Sequence, residues 1–336
     1  MKILALADLF IPVGPMKNGL ESLCSKGCSL IVRQWEHKNL EMLQKDNLAV
    51  ELGGPEAVAA PLDLVARAED TEILVVQFAP VSKALMQALP KLKLISVLRG
   101  GVENVDLEAA RERGITVLNT PGRNARAVAE FTVGLMLAET RNIARGHAAM
   151  KQGIWLKEFP NSAYIPEIGG KTIGLIGFGA IGHLVATFLK AFGCSILVYD
   201  PYLKSAPEGV TLALLDQVLK EADIVSLHAR LSDETHHLIS EREISLMKPT
   251  AVLINTARSG LLDQEAIVHA LQTKRIQGAA LDVFDREPIP QDDPILALDN
   301  LTLVPHAAGS TADAFLGSPK LAAVHIGKWL EQNGNN

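Results

Sequence analysis

The chain has 336 residues, of which 48% are hydrophobic and 21% charged, with a formal net charge of −6. That balance excludes a disordered chain, and at roughly 100–200 residues per domain the length predicts two domains. The acidic balance offers no basic face for a nucleic-acid partner, and no apolar run approaches the roughly 18–20 residues of a membrane span.

The first apolar run, residues 2–7, is interrupted by Asp8 before it reaches the length of a signal-peptide core, so it reads as a buried strand. Further strand-like runs cover 72–78, 92–98, 115–119, 172–177, 195–200, 224–229, 251–257, 277–283 and 301–305. Several are apolar at consecutive positions, as parallel strands buried on both faces require. Helical stretches lie between them. One, 106–113, stops at Gly114, which can take the left-handed C-terminal cap. Another, 263–274, opens on the N-cap candidate Asp263. Residues 124–150 form an unusually long helical pattern, read either as a linker helix between domains or as an arm packed on a second subunit. Strand–helix–strand alternation makes the chain α/β. Its three cysteines, Cys24, Cys28 and Cys194, are too few and too scattered for a disulfide framework and predict a reducing, cytoplasmic setting. No second Cys/His pair follows Cys24 and Cys28, so no metal is expected.

Residues 172–200 read as a complete dinucleotide-binding unit. An apolar strand leads into Gly177, Gly179 and Gly182, spaced GxGxxG; a helical stretch, 181–192, stops at Gly193; and a second apolar strand ends in Asp200, 23 residues after Gly177. Gly177 permits the tight turn, Gly179 lets backbone approach a pyrophosphate, and Gly182 lets helix and strand pack closely. The helix start, with Ala180 and Ile181, offers unpaired N–H groups to phosphate. Asp200 can accept from both ribose hydroxyls and would repel a 2′-phosphate, which favours NAD over NADP.

Three polar motifs follow at strand ends: Asn255-Thr256-Ala257-Arg258-Ser259-Gly260, Asp282-Val283-Phe284-Asp285-Arg286-Glu287-Pro288, and Pro305-His306-Ala307-Ala308-Gly309. Carboxyl ends of strands are where open α/β sheets bind ligands, although each motif alone could be a plain surface loop. In this order after a GxGxxG unit they resemble the D-isomer-specific 2-hydroxyacid dehydrogenase family. The resemblance runs from about residue 92 to 311 and includes Gly101-Val102-Glu103-Asn104, Asn119-Thr120-Pro121-Gly122, Leu227-His228 and Met247-Lys248-Pro249.

The resemblance implies a catalytic set of Arg258, Glu287 and His306. His306 would give its proton to the carbonyl oxygen of a 2-oxo acid, Glu287 would hold the imidazole, and Arg258 would clamp the carboxylate. It also implies that the N–H groups of Gly100 and Gly101 grip the carboxylate and that Asp282 orients the nicotinamide. Ala229, Thr256, Ala257 and Gly309 would line the cofactor cleft. The architecture it implies is two Rossmann-like domains. A doubly wound NAD domain, 123–309, would be inserted into a smaller flavodoxin-like substrate domain, 1–122 with 310–336, and members commonly form homodimers.

Two residues depart from the family's pattern. Arg99 precedes Gly100, and Arg230 stands where proline is frequent. Arg99 suggests a polar or doubly anionic substrate, such as a sugar-derived 2-oxo acid, and is counted with the substrate residues; otherwise it points to solvent or pairs with Glu103. A reading from a different class is an NAD(H)-sensing binding protein like the corepressors on this fold, which would leave Arg258, Glu287 and His306 without a task.

Overall fold

The structure, a computed structural model, describes residues 1–333 and contains two sheets in which every strand pairing is parallel. The chain divides into two units. One comprises Met1–Asn124 and the C-terminal segment from Thr311; the other is Ala125–Ser310, inserted between them in sequence.

In the first unit β1 (Lys2–Ala7), β2 (Ser29–Gln34), β3 (Ile73–Val76), β4 (Leu94–Val97) and β5 (Thr116–Asn119) lie in the order β2-β1-β3-β4-β5, the doubly wound flavodoxin order. Alternate residues serve opposite faces. Leu4, Leu6, Leu74, Val76, Ile95 and Val97 pack with Leu85 and Met86 on one side. Ile3, Ala5, Ile73, Val75 and Leu94 pack on the other with Met16 and Leu20 of the Val13–Leu20 helix and with Ala322 and Ile326 of the Ala312–Asn333 helix. The two helices touch closely at Gly19, where a Cβ would come within 2.5 Å of the Pro319 Cβ. The strand β2 has no counterpart among the sequence-predicted runs. It is a sheet edge with only partial burial, so its residues need not be uniformly apolar.

In the second unit β6 (Thr172–Ile176), β7 (Ser195–Tyr199), β8 (Thr211–Leu212), β9 (Ile224–Leu227), β10 (Val252–Asn255), β11 (Gly278–Leu281) and β12 (Leu301–Leu303) form a seven-stranded sheet, order β12-β11-β10-β9-β6-β7-β8. Strand order reverses between β6 and β9, which places the ligand crevice of a doubly wound fold outside their carboxyl ends. The strand β8, only two residues long, also escaped the periodicity reading.

The long pattern at 124–150 is two helices, Ala125–Thr140 and Ile143–Lys151, rather than one. Asn142 breaks them in a left-handed conformation (φ 57°) that asparagine tolerates better than most residues. Its buried amide donates to Asn161 Oδ1. The break lets Arg145 turn back onto buried Glu139, with both Glu139 oxygens accepting from Nη2 at 2.9 Å and Thr302 of β12 donating to Oε2 at 2.6 Å. Burial raises the Glu139 carboxyl's pKa and the Arg145 charge opposes that rise. Among the described residues no helix is long and apolar enough to cross a membrane.

Asp8, at the end of β1, is 1% exposed and its Oδ1 accepts from the N–H groups of Phe10 and Ile11 at 2.9 Å each. Burial pushes its pKa up to about 6. The folded protein therefore binds this proton more tightly than the unfolded chain, and stability falls as pH rises from about 4 through about 6. Asparagine keeps the acceptor and removes the charge. Asp8→Asn is expected to gain up to about 3 kcal/mol over wild type on going from about pH 4 to about pH 7. Urea unfolding of both proteins at the two pH values measures this; a difference that stays constant with pH would refute it.

Candidate active site

The glycine turn joins β6 to the Ala180–Ala191 helix. Gly177 has φ +93°, and a Cβ there would meet Ala229 N at 2.5 Å and the His228 carbonyl carbon at 2.6 Å. Gly182 faces back on the turn, where a Cβ would lie 2.5 Å from the Gly177 carbonyl oxygen. By contrast a Cβ on Gly179 would meet nothing within 4 Å, so this position opens outward. Gly179 is also the helix N-cap, with no side chain capping the first turn and no acidic residue in it. The N–H groups around Ala180 and Ile181 are therefore left for an external acceptor. Asp200 closes β7, its Oδ2 accepting from Phe178 N at 2.8 Å and its Oδ1 from Tyr202 N at 2.9 Å. Each oxygen keeps a lone pair for a ribose hydroxyl. An open, uncapped helix start beside a fixed carboxylate suits a dinucleotide.

The polar motifs of this unit occupy the carboxyl ends of its strands. After β12, His306 adopts φ 48° and its Nδ1 lies 2.7 Å from Glu287 Oε2. The other Glu287 oxygen accepts from Phe284 N at 2.9 Å, which fixes the carboxylate while the imidazole stays half-exposed. After β10, Arg258 is exposed and its Nη1 donates to the Ala257 carbonyl at 2.7 Å.

Two positioning residues and one histidine carry no role in the sequence analysis. Asn255 staples the Arg258 loop, its Nδ2 donating to the Arg258 carbonyl at 2.9 Å and its Oδ1 accepting from Ala257 N at 3.0 Å. Thr132 donates to the Val128 carbonyl, so the 2.8 Å contact between the Thr132 and Thr256 hydroxyls takes its hydrogen from Thr256. That bond ties the Ala125–Thr140 helix to the same loop. His228, whose Nε2 lies 3.0 Å from the Ser226 hydroxyl, has its pKa pushed down to about 4 by burial, so its ring is neutral at pH 7. Asn255 and His228 stand inside recognisable motifs, while Thr132 carries no local signal.

Asp282 is 1% exposed and accepts from Ala307 N at 2.7 Å and Ala308 N at 3.0 Å. Burial raises its pKa against the pull of these two N–H groups. It thereby anchors the turn that follows His306. Ala229 and Gly309 are half-buried in the loops after β9 and β12.

Gly100, Gly101 and Arg99 belong to the first unit, in the loop after β4. A Cβ on Gly100 would meet nothing within 4 Å, whereas Gly101 is pressed against the Glu103 carboxylate. Arg99 is buried, bonded to Asn47 Oδ1 at 3.0 Å, paired with Glu51 and with Glu103 at 3.3 Å, and held over the Phe78 ring. It pairs with Glu103, one of the two alternatives to a substrate contact, and does not point to solvent. Arg230 is exposed, and nothing in the structure explains it. Among the described residues no group of three or more His, Cys, Asp or Glu side chains could hold a metal ion.

Residues 133–308 match the family described as D-isomer specific 2-hydroxyacid dehydrogenase, NAD binding domain. The chain belongs to this family. It is 44% identical over 251 residues to a glyoxylate reductase of Thermofilum pendens, covering 73% of this chain and 74% of that one. It is 41% identical over 274 residues, 80% of this chain, to the D-3-phosphoglycerate dehydrogenase of Methanocaldococcus jannaschii, of which it spans about half the length (51%). The solved D-lactate dehydrogenase of Lactobacillus jensenii with NAD+ aligns at a TM-score of 0.73 and 27% identity, covering 98% of this chain and 97% of that one. The inserted unit of this dehydrogenase-family chain is an NAD-binding domain, and its glycine turn and Asp200 fit that cofactor.

Because the Gly182 hydrogen faces a carbonyl oxygen, Gly182→Ala must push helix and strand apart. NADH affinity, followed by quenching of protein fluorescence, is expected to fall about tenfold or more, with the fold retained by circular dichroism. Unchanged affinity would show that the close approach is not needed.

Proposed function

We propose that the chain interconverts a D-2-hydroxy acid and its 2-oxo acid, with His306 as acid/base. The 2.7 Å pairing of His306 Nδ1 with Glu287 is the observation that carries this reading. NAD, when bound, supplies or accepts the hydride at the carbon bearing the oxygen. In the reductive direction His306 gives the Nε2 proton to the carbonyl oxygen, while Glu287 holds the ring's orientation and balances the imidazolium. Arg258 binds the substrate carboxylate through its planar fork and polarises the carbonyl. The turn at Gly100 and Gly101, open at Gly100, offers backbone N–H groups to a substrate carboxylate, and Arg99 shapes that turn by neutralising Glu103. The glycine turn, Ala180 and Ile181 bind the pyrophosphate and Asp200 the ribose. Ala229, Thr256, Ala257 and Gly309 line the cofactor, and Asp282 steadies the loops beside the nicotinamide.

The substrate class is a small polar 2-oxo acid. The names glyoxylate reductase and hydroxypyruvate reductase among relatives 36–44% identical support this. A homodimer is the proposed assembly. The Ile143–Lys151 helix has no buried residue, and Ile143, Met150, Ile154 and Trp155 are all exposed, an apolar stretch suited to a second copy. Three free cysteines support a reducing compartment, the cytoplasm.

NADH oxidation at 340 nm against glyoxylate, pyruvate, hydroxypyruvate and phosphohydroxypyruvate tests the reaction. Turnover of at least one is expected, and binding of NADH with none consumed would overturn it. His306→Ala is expected to lower kcat by about 10²–10⁴ with NADH still bound; an unchanged rate would remove the proton-donor role. Asp200→Ala is expected to weaken NADH and relax discrimination against NADPH, and an unaltered preference would take Asp200 out of the ribose site.

A further inference from the structure

The two arginines at the carboxyl edge of the first sheet differ in their counter-charges. Arg99 is neutralised by Glu51 and Glu103. Arg123, in the turn after β5, enters no ion pair among the described residues, and its Nη1 is buried without a hydrogen-bond partner. One face of its guanidinium lies over the Phe315 ring at 4.8 Å, and Phe315 stacks on Phe10 at 4.5 Å. Asp8 acts on Arg123 only through space, and its Oδ1 is already occupied by the N–H groups of Phe10 and Ile11. Burial and the neighbouring Arg99 charge push the Arg123 pKa down to about 10, so the cation persists at neutral pH under an electrostatic cost that an anion would relieve.

The Arg123 turn is also tied to the loop of Gly100 and Gly101. Asn119 Nδ2 donates to the Gly100 carbonyl at 2.5 Å, Thr120 N to the Arg99 carbonyl at 3.0 Å, and the Thr120 hydroxyl to the Val97 carbonyl at 3.2 Å. Arg123 N in turn approaches the Thr120 carbonyl at 3.4 Å. A stacked, unpartnered guanidinium is thus held on the same sheet edge as the Gly100 and Gly101 loop, which is open at Gly100. Its fork matches a carboxylate or phosphate.

We propose that Arg123 is a specificity-determining residue that binds a second anionic group, carboxylate or phosphate, of a 2-oxo acid whose 1-carboxylate the Gly100 and Gly101 turn takes. This rests on the 2-oxo acid reading above. Monoanionic acids leave Arg123 without a partner; dianionic acids supply one.

Steady-state kinetics with NADH test this on wild type, Arg123→Met and Arg123→Lys. The substrates are glyoxylate and hydroxypyruvate (one anionic group), oxaloacetate (two carboxylates) and phosphohydroxypyruvate (a phosphate). Wild type is expected to favour at least one dianionic acid, and the favoured one tells carboxylate from phosphate. Arg123→Met is expected to raise KM for that acid about tenfold or more beyond any change for the monoanions, chiefly in KM rather than kcat, with Arg123→Lys recovering part of the difference. Equal effects on both classes, or no dianion preference in wild type, overturn the assignment. NADH fluorescence titration of each variant checks folding, and if Arg123→Met fails to bind NADH the same ratio on Arg123→Lys decides. A wild type that consumes no 2-oxo acid at all refutes the reaction instead, an outcome separate from turnover without discrimination.

Discussion

Where the chain leaves β6 there is room for a hydrogen atom and little else. The backbone of His228 and Ala229 passes so close to Gly177 that any side chain would collide with it, and the Gly177 carbonyl in turn blocks a side chain on Gly182. This contact brings the end of β9 against the end of β6 at the point where strand order reverses, and it starts the Ala180–Ala191 helix at a fixed distance from the sheet. The uncapped first turn, the open position at Gly179 and the carboxylate of Asp200 all take their places from it. NAD binding in this family is a backbone property first and a side-chain property second.

The chemistry is assembled differently. Parallel strands present all their carboxyl ends on one edge, so loops far apart in sequence become neighbours. Flexible loops alone would hold such groups loosely. Here two loops are tied within themselves and a third to its neighbour. Asn255 staples the Arg258 loop, Phe284 N fixes Glu287, and Asp282 pins the two residues after His306. The positive φ of His306 is maintained between those ties, which hold the imidazole against Glu287.

Buried charges are answered by opposite charges or by N–H groups, and to different degrees. Glu139 is answered by Arg145 and Thr302, and Arg99 by Glu51 and Glu103, as burial of ions demands. Arg99 therefore adds no net positive charge; it cancels the Glu103 carboxylate pressed against Gly101. Arg123 is answered less fully, stacked on an aromatic ring with a buried nitrogen left over.

Much of this was legible in the sequence. The ten predicted strand runs are present, most of them because strands buried on both faces are apolar at consecutive positions, a local property. The GxGxxG unit was legible because only glycine meets its backbone contacts, and the His306, Glu287 and Arg258 motifs because they lie at ends of such strands. The half-exposed edges β2 and β8 carried no such pattern. The break at Asn142 was also silent, since a helical period continues on either side of it and the cause, a buried amide bond to Asn161, lies 19 residues away. Charge pairing was the least legible of all. Arg99 meets Glu51, 48 residues earlier, while Arg123 enters no ion pair among the described residues. Sequence periodicity determined which segments form the sheets and where their functional loops begin. Which charge is cancelled and which is not was decided only by the tertiary structure, because an ion's partner is set by distance in space and not along the chain.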